Sequence, residues 1–269
     1  MRVRVIARGL TRCLSVIVLL AKRFEGLMIA RYLAIFLLCL LGSASAAQPL
    51  APNNINLVSD VWEEYTQADG SGLAWDVLRA VYEPAGVKLN IQTMPYTRSI
   101  GLVQRGEADA WVGSYLNEVE QGVFYPHWYY DADQVTALST LNTPVPNMQT
   151  ISQYRLVWVR GYAYQQYLPN LTRFREVQRR KGILEMLDFG RADFYIDART
   201  EIEQLLMTAV DPAHYRMTPL TRLPIYLGFA DNPRGHKLAD LFDQRMQKLV
   251  KDGSLKPIFK RWKQPYPFD

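Results

Sequence analysis

Gly106-Glu107-Ala108-Asp109-Ala110 and Gly190-Arg191-Ala192-Asp193-Phe194 lie 84 residues apart and decide the reading of the fold. The first opens the apolar run Trp111-Val112, the second Tyr195-Ile196. Each follows an apolar-periodic segment: Ile100, Leu102 and Val103 before the first, Ile183, Leu184, Met186 and Leu187 before the second. A glycine just past such a segment stops a helix, because it alone enters the left-handed conformation without a steric penalty. Each stretch therefore predicts helix, tight turn and short buried strand. One such unit per half implies two similar α/β lobes. Ligands of open α/β sheets sit beyond the carboxyl ends of strands. Those ends here are Gly113-Ser114-Tyr115 and Asp197-Ala198-Arg199.

Outward from these units, Asn56-Leu57-Val58 predicts a first strand, and Gly70-Ser71-Gly72 precedes a helix with apolar residues at 74, 77, 78, 81 and 82. Val87, Leu89 and Ile91 alternate with polar residues as a strand, and a helix is expected over Thr97 to Arg105. This β-α-β-α-β order implies parallel strands joined by crossover helices. Leu141 to Asn147, with two prolines, breaks the composition before a second β-α unit, expected as strand Arg155–Val159 and a helix containing Tyr164 and Leu168. Thr200 to Glu203 fits a capping box. Pro219 to Pro224 reads as a second break, after which Leu238, Leu241, Phe242 and Leu249 predict a helix stopped by Gly253, and Leu255 to Trp262 a shorter one. Two breaks mean that the chain crosses twice between lobes. The expected division is 47–138 and 225–269 in the first lobe and 139–224 in the second.

The N-terminus carries a leader. Arg31, the apolar stretch Tyr32 to Leu41 and Ala44-Ser45-Ala46 form a secretory signal peptide over 28–46. Its apolar core is shorter than the roughly 20 residues that a membrane-spanning helix needs. Residues 1–27 are either an upstream extension or part of one longer leader, so the start lies at Met1 or Met28. Seven of the 31 basic residues fall in 1–46 (Arg2, Arg4, Arg8, Arg12, Lys22, Arg23, Arg31), with one acidic residue, Glu25. The remaining 24 basic and 25 acidic residues nearly cancel. The apparent basicity belongs to the leader, and no basic stripe remains for nucleic acid. Cys13 and Cys39, the two cysteines, also lie in the leader, so the exported chain has no disulfide, thiolate metal site or cysteine nucleophile.

Five short motifs, in order, resemble the family 3 bacterial extracellular solute-binding proteins: Gly72-Leu73-Ala74-Trp75-Asp76-Val77, Pro95-Tyr96-Thr97-Arg98, Gly106 to Ala110, Gly190 to Asp193, and Leu249 to Leu255. The resemblance covers about Ile55 to Trp262. It implies a two-lobed, type II periplasmic-binding-protein α/β fold with two hinge crossings that closes around a small polar solute. It further implies a periplasmic monomer whose partner is the membrane permease of an ABC importer. The family's first-strand aromatic segment corresponds to Trp62-Glu63-Glu64-Tyr65, and its ammonium-holding aspartate to Asp197. The family's carboxylate-clamping arginine, which follows a glutamate, corresponds to Gln121 after Glu120. Loss of a bidentate cation is not neutral, so the amino-acid specificity is open.

Candidate ligand contacts follow from position and chemistry. Asp197 accepts from a ligand cation or caps the next helix. Tyr65, Tyr162 and Tyr164 offer rings and hydroxyls, and Ser114 and Tyr115 lie at a strand end. Arg98 and Arg160 are the two candidates to replace the missing clamp. Glu64, with Glu63, favours a cationic group or forms a solvated turn. Asp76, Asp109 and Asp193 read as turn or cap residues, and Asp131-Ala132-Asp133 as an acidic loop. The three histidines, His127, His214 and His236, show no metal-ligand spacing. No nucleophile elbow or phosphate-cradling glycine loop is present. No cofactor, metal or catalytic residue is expected. The rivals to a transport receptor are an enzyme of dehydratase type on the same scaffold and a ligand sensor for a membrane kinase.

Overall fold

Strand β1 (Asn54–Ser59) pairs in parallel with β2 (Lys88–Thr93) on one side and β3 (Ala110–Tyr115) on the other. Helices α1 (Leu73–Tyr82) and α2 (Tyr96–Gln104) make the two crossovers. The computed structural model describes residues 52–269, so the leader expected over 1–46 lies outside them. Later in the chain, β6 (Leu156–Val159) pairs in parallel with β7 (Phe174–Val177) and with β8 (Phe194–Ala198), repeating the first arrangement. Helix α3 (Ile183–Asp188) precedes β8, and α4 (Arg199–Leu206) follows it directly.

The twin glycine stretches explain this likeness. Gly106 and Gly190 both take positive φ, 71° and 60°. Three residues on, Asp109 exchanges backbone contacts with Asn56: its N–H donates to the Asn56 carbonyl at 3.0 Å, and its carboxylate accepts from the Asn56 N–H at 2.7 Å. Asp193 repeats this with Arg155 at 2.8 and 2.7 Å. Each aspartate also holds an arginine, Arg234 to Asp109 at 2.7 Å and Arg155 to Asp193 at 2.6 Å. The repeat is thus a device for aligning each central strand with its neighbour.

Two long antiparallel strands, β5 (Asp131–Thr140) and β9 (Tyr215–Ala230), join the halves in the sheet order β2-β1-β3-β9-β5-β8-β6-β7, with β4 (Val123–Phe124) on β9. Val135 to Leu138 of β5 already pair with β8. The break expected at Pro219–Pro224 is instead interior to β9. Both prolines lie where β9 has only β5 as a ladder partner, because β3 joins it from Ile225 onward. On that open side a missing N–H costs no ladder bond. Two smaller expectations also change. The helix around Tyr164 and Leu168 is a single 3₁₀ turn, Tyr164–Gln166, because Pro169 disfavours helical geometry at the residue before it. Thr200 is inside α4, whose N-cap is Ala198 with no side-chain cap bond.

Helix α1 buries Trp75, Val77, Leu78, Val81 and Tyr82, each large side chain contributing about 1.5–3 kcal/mol by leaving water. Its partner is α5 (Pro233–Lys251), where Phe242 lies 6.3 Å from the Tyr82 ring, and the Tyr82 hydroxyl donates to the Leu238 carbonyl at 3.1 Å. Helix α6 (Lys256–Arg261) continues the same layer. A smaller cluster, which includes Leu138, Val157, Ile183, Leu187, Tyr195 and Ile202, packs within the other half. Among the described residues, no helix is long and apolar enough to cross a membrane.

Candidate ligand-binding cavity

The carboxyl ends of β3 and β8, the start of β5 and the segment after β1 converge on a cavity of about 530 Å³. Aromatic side chains meet across it from both halves of the sheet. Trp62 Nε1 donates to the Tyr162 hydroxyl at 3.1 Å, and the Tyr115 and Tyr164 hydroxyls lie 3.2 Å apart. The Tyr96 and Tyr162 rings meet edge to face at 5.7 Å. Outside them, the Tyr167 hydroxyl donates to the Leu116 carbonyl at 3.1 Å. Gly113 makes room for Trp62: its φ is 92°, and a Cβ there would fall 2.6 Å from the indole ring.

The walls are acidic. Glu118, 8% exposed, accepts through Oε2 from the Tyr96 hydroxyl at 2.7 Å, the Ser114 hydroxyl at 3.0 Å and the Tyr115 N–H at 3.2 Å. Its Oε1 is buried without a partner. Burial pushes its pKa up to about 7 against the pull of those hydrogen bonds. Asp131 and Asp133 project from one face of β5, two residues apart. The Tyr115 hydroxyl donates to Asp133 at 2.8 Å, and Asp131 accepts from the Ala132 N–H at 2.8 Å. Burial pushes both pKa values up to about 7, and the Asp131 charge adds to the rise at Asp133.

Of the residues expected from sequence, Glu64, Tyr65, Tyr115, Tyr162, Tyr164 and Asp197 line the cavity. Three do not. Ser114 is fully buried behind the wall, its hydroxyl donating to Glu118 at 3.0 Å. Arg98 is exposed on α2, and Arg160 is exposed beside Gln178. Gln121 is exposed as well, its carbonyl accepting from the Gln104 side chain at 3.1 Å; the residue of that turn that reaches the cavity is Glu118. Asp197 is 1% exposed and already holds a cation of the protein: Arg180 Nε donates to Oδ2 at 2.9 Å. The Tyr195 hydroxyl donates to the same oxygen, and Oδ1 accepts from the Ala198 N–H at 2.8 Å. Arg180 also pairs with Glu201 at 2.8 Å and donates to the Tyr162 hydroxyl at 3.0 Å.

Sequence reasoning missed Tyr96, Glu118, Arg180 and Glu201, and took Asp131-Ala132-Asp133 as a loop. The alternation Asp131-Ala132-Asp133-Gln134-Val135 carries a strand signal that points both aspartates to one side. No comparable signal marks Glu118 or Arg180, which lie in turns. Among the described residues, no three acidic, histidine or cysteine side chains stand close enough to hold a metal ion.

The sequence model of the bacterial extracellular solute-binding proteins, family 3, matches residues 62–265, and the chain belongs to that family. A probable amino-acid-binding protein of Bacillus subtilis (strain 168), YxeM, is 21% identical over 254 residues, covering 90% of this chain and 95% of its own length. The substrate-binding protein of an ABC uptake transporter from Streptococcus pneumoniae, solved with bound histidine, is similar in fold at a TM-score of 0.60 and 17% identity, over 78% of this chain and 92% of that one. An ancestral amino acid-binding protein, a precursor of cyclohexadienyl dehydratase, is similar at a TM-score of 0.60 and 15% identity, over 78% and 95%.

Proposed function

We propose that this family 3 solute-binding protein captures a small polar, amino-acid-like solute in the cavity between its halves and delivers it, outside the cytoplasmic membrane, to the permease of an ABC importer. The observation that carries this reading is the pair of hydroxyl contacts across the cavity, Trp62 to Tyr162 and Tyr115 to Tyr164. Such contacts join surfaces that separate when the halves move apart, which is how a receptor loads and releases. Among the described residues, the chain passes between the parallel strand sets through β5 and β9, and the hinge falls where these strands leave one set for the other, near 131–134 and 222–225. The amino-acid-binding relative and the histidine-bound structure support the same class of solute.

A second reading, an enzyme of dehydratase type, draws on one observation: three cavity carboxyls hold their protons near neutral pH, where acid–base catalysts work best. One experiment separates the two. A thermal-shift screen of amino acids, amines and small organic acids identifies the solute, and mass spectrometry follows that solute during prolonged incubation with the protein. Recovery of unchanged solute at one equivalent per chain fits the receptor. Turnover to a new product establishes the enzyme.

A further inference from the structure

We propose that the receptor's solute is a short aliphatic diamine, held at one end by Glu118 and at the other by Asp133 and Asp131. This rests on the reading of the cavity as a solute site and names the class of solute.

Three observations carry it. First, three acids of the cavity wall stand outside every ion pair of the described residues, with exposed Arg222 the cation that bears on Asp131. Among the described residues, none of Glu118, Asp131 and Asp133 makes an ion pair, whereas Asp197 and Glu201 are both answered by Arg180. Glu118 Oε1 has no hydrogen-bond partner at all, although the residue is 8% exposed. A buried acceptor left so is costly unless a ligand supplies the donor.

Second, the two acidic ends are set apart by one side chain. Tyr115 donates from its backbone N–H to Glu118 and from its phenol to Asp133. The carboxylates therefore stand at opposite ends of a tyrosine, too far apart to share a metal ion, and suited to two ammonium groups joined by a methylene chain. The Trp62, Tyr65, Tyr96 and Tyr162 rings wall the space, where aromatic faces cover methylenes and attract ammonium groups.

Third, nothing buried in the cavity answers a carboxylate. The lining cations Arg199, Arg222 and Lys263 are all exposed, and Arg199 is paired with Glu203 at 2.7 Å. An α-amino acid would bring its own negative charge beside three acids, which favours a diamine over it.

The test is calorimetric titration of the exported chain with putrescine and cadaverine, against lysine, arginine, glutamine and histidine, with scattering recorded on each saturated sample. The expected result is saturation by a diamine at one equivalent, at least about a hundredfold tighter than by lysine. Glu118→Gln and Asp133→Asn should each weaken diamine binding about tenfold or more. Neither substitution should lower the melting temperature of the ligand-free protein, since each keeps the acceptor oxygen and replaces an acid whose ionisation burial penalises. That combination separates a ligand contact from a structural residue. Tighter binding of an amino acid than of either diamine overturns the proposal and leaves the receptor intact. Failure of both diamines to bind overturns the proposal, and the receptor reading then rests on the wider screen of amino acids, amines and organic acids.

Discussion

Glu118 shows what a single buried carboxyl does to the whole chain. In the folded protein Glu118, Asp131 and Asp133 keep their protons to about pH 7, because burial penalises the charge. In the unfolded chain they lose them near pH 4. Between those values the folded state holds more protons, so raising the pH favours unfolding. The groups that bear on them are Tyr65, Tyr96, Ser114, Tyr115 and the Ala132 amide, with Asp197 adding to the rise at Asp133 and exposed Arg222 as the nearby cation, and none removes the penalty. Ligand-free protein should therefore melt at a lower temperature at pH 8 than at pH 5.5, by about 4 °C or more. An equal or higher melting temperature at pH 8 would contradict the assignment. Asp197 is half of a structural ion pair. Asp197→Asn leaves Arg180 with only Glu201 as an anionic partner, and should cost about 2 kcal/mol in denaturant unfolding. Lost affinity with unchanged stability would instead make Asp197 the solute's partner. The strand-end rule located Asp197 and Tyr115 in the sequence. It could not supply Arg180, seventeen positions away in a turn without periodicity, and so could not tell a ligand's cation from the protein's own.

At the scale of elements, the paired glycine stretches were legible because they are local: a helix stop, an aspartate and an apolar run lie within a few residues. Their structural role predicts that Asp109→Ala loses the Asn56 and Arg234 contacts together and costs about 2 kcal/mol. Denaturant unfolding checks the stability and titration the solute affinity, which should stay within a factor of about three. A tenfold loss of affinity would place Asp109 in the binding machinery. Strand β9 was illegible for a complementary reason. Pro219 and Pro224 carry a strong local signal for a break, and only the one-sided pairing with β5 makes them compatible with a strand. The same tertiary fact turned an apparent acidic loop into the start of β5 and placed two aspartates at the cavity. The single turn at Tyr164 was overread as a helix, with Pro169 the overlooked residue.

At the scale of the molecule, α/β class, lobe duplication and cavity location all followed from the order of helices and strands, while the cavity's charge followed from packing. Gly161 packs against α2. Gly161 has a φ of 92°, and a Cβ there would fall 2.8 Å from Thr97 Cγ2. Gly161→Ala should hold the halves apart and weaken solute binding tenfold or more, with a smaller loss in melting temperature. Undiminished affinity would show that the Gly161–Thr97 approach is not part of closure. The central claim, that two halves close on a small solute, is tested most directly by small-angle scattering of residues 47–269 before and after saturation with the solute that raises their melting temperature most. The account predicts a smaller radius of gyration in the saturated protein, with the change abolished in Gly161→Ala. A protein that saturates at one equivalent with no change in its radius of gyration would contradict it.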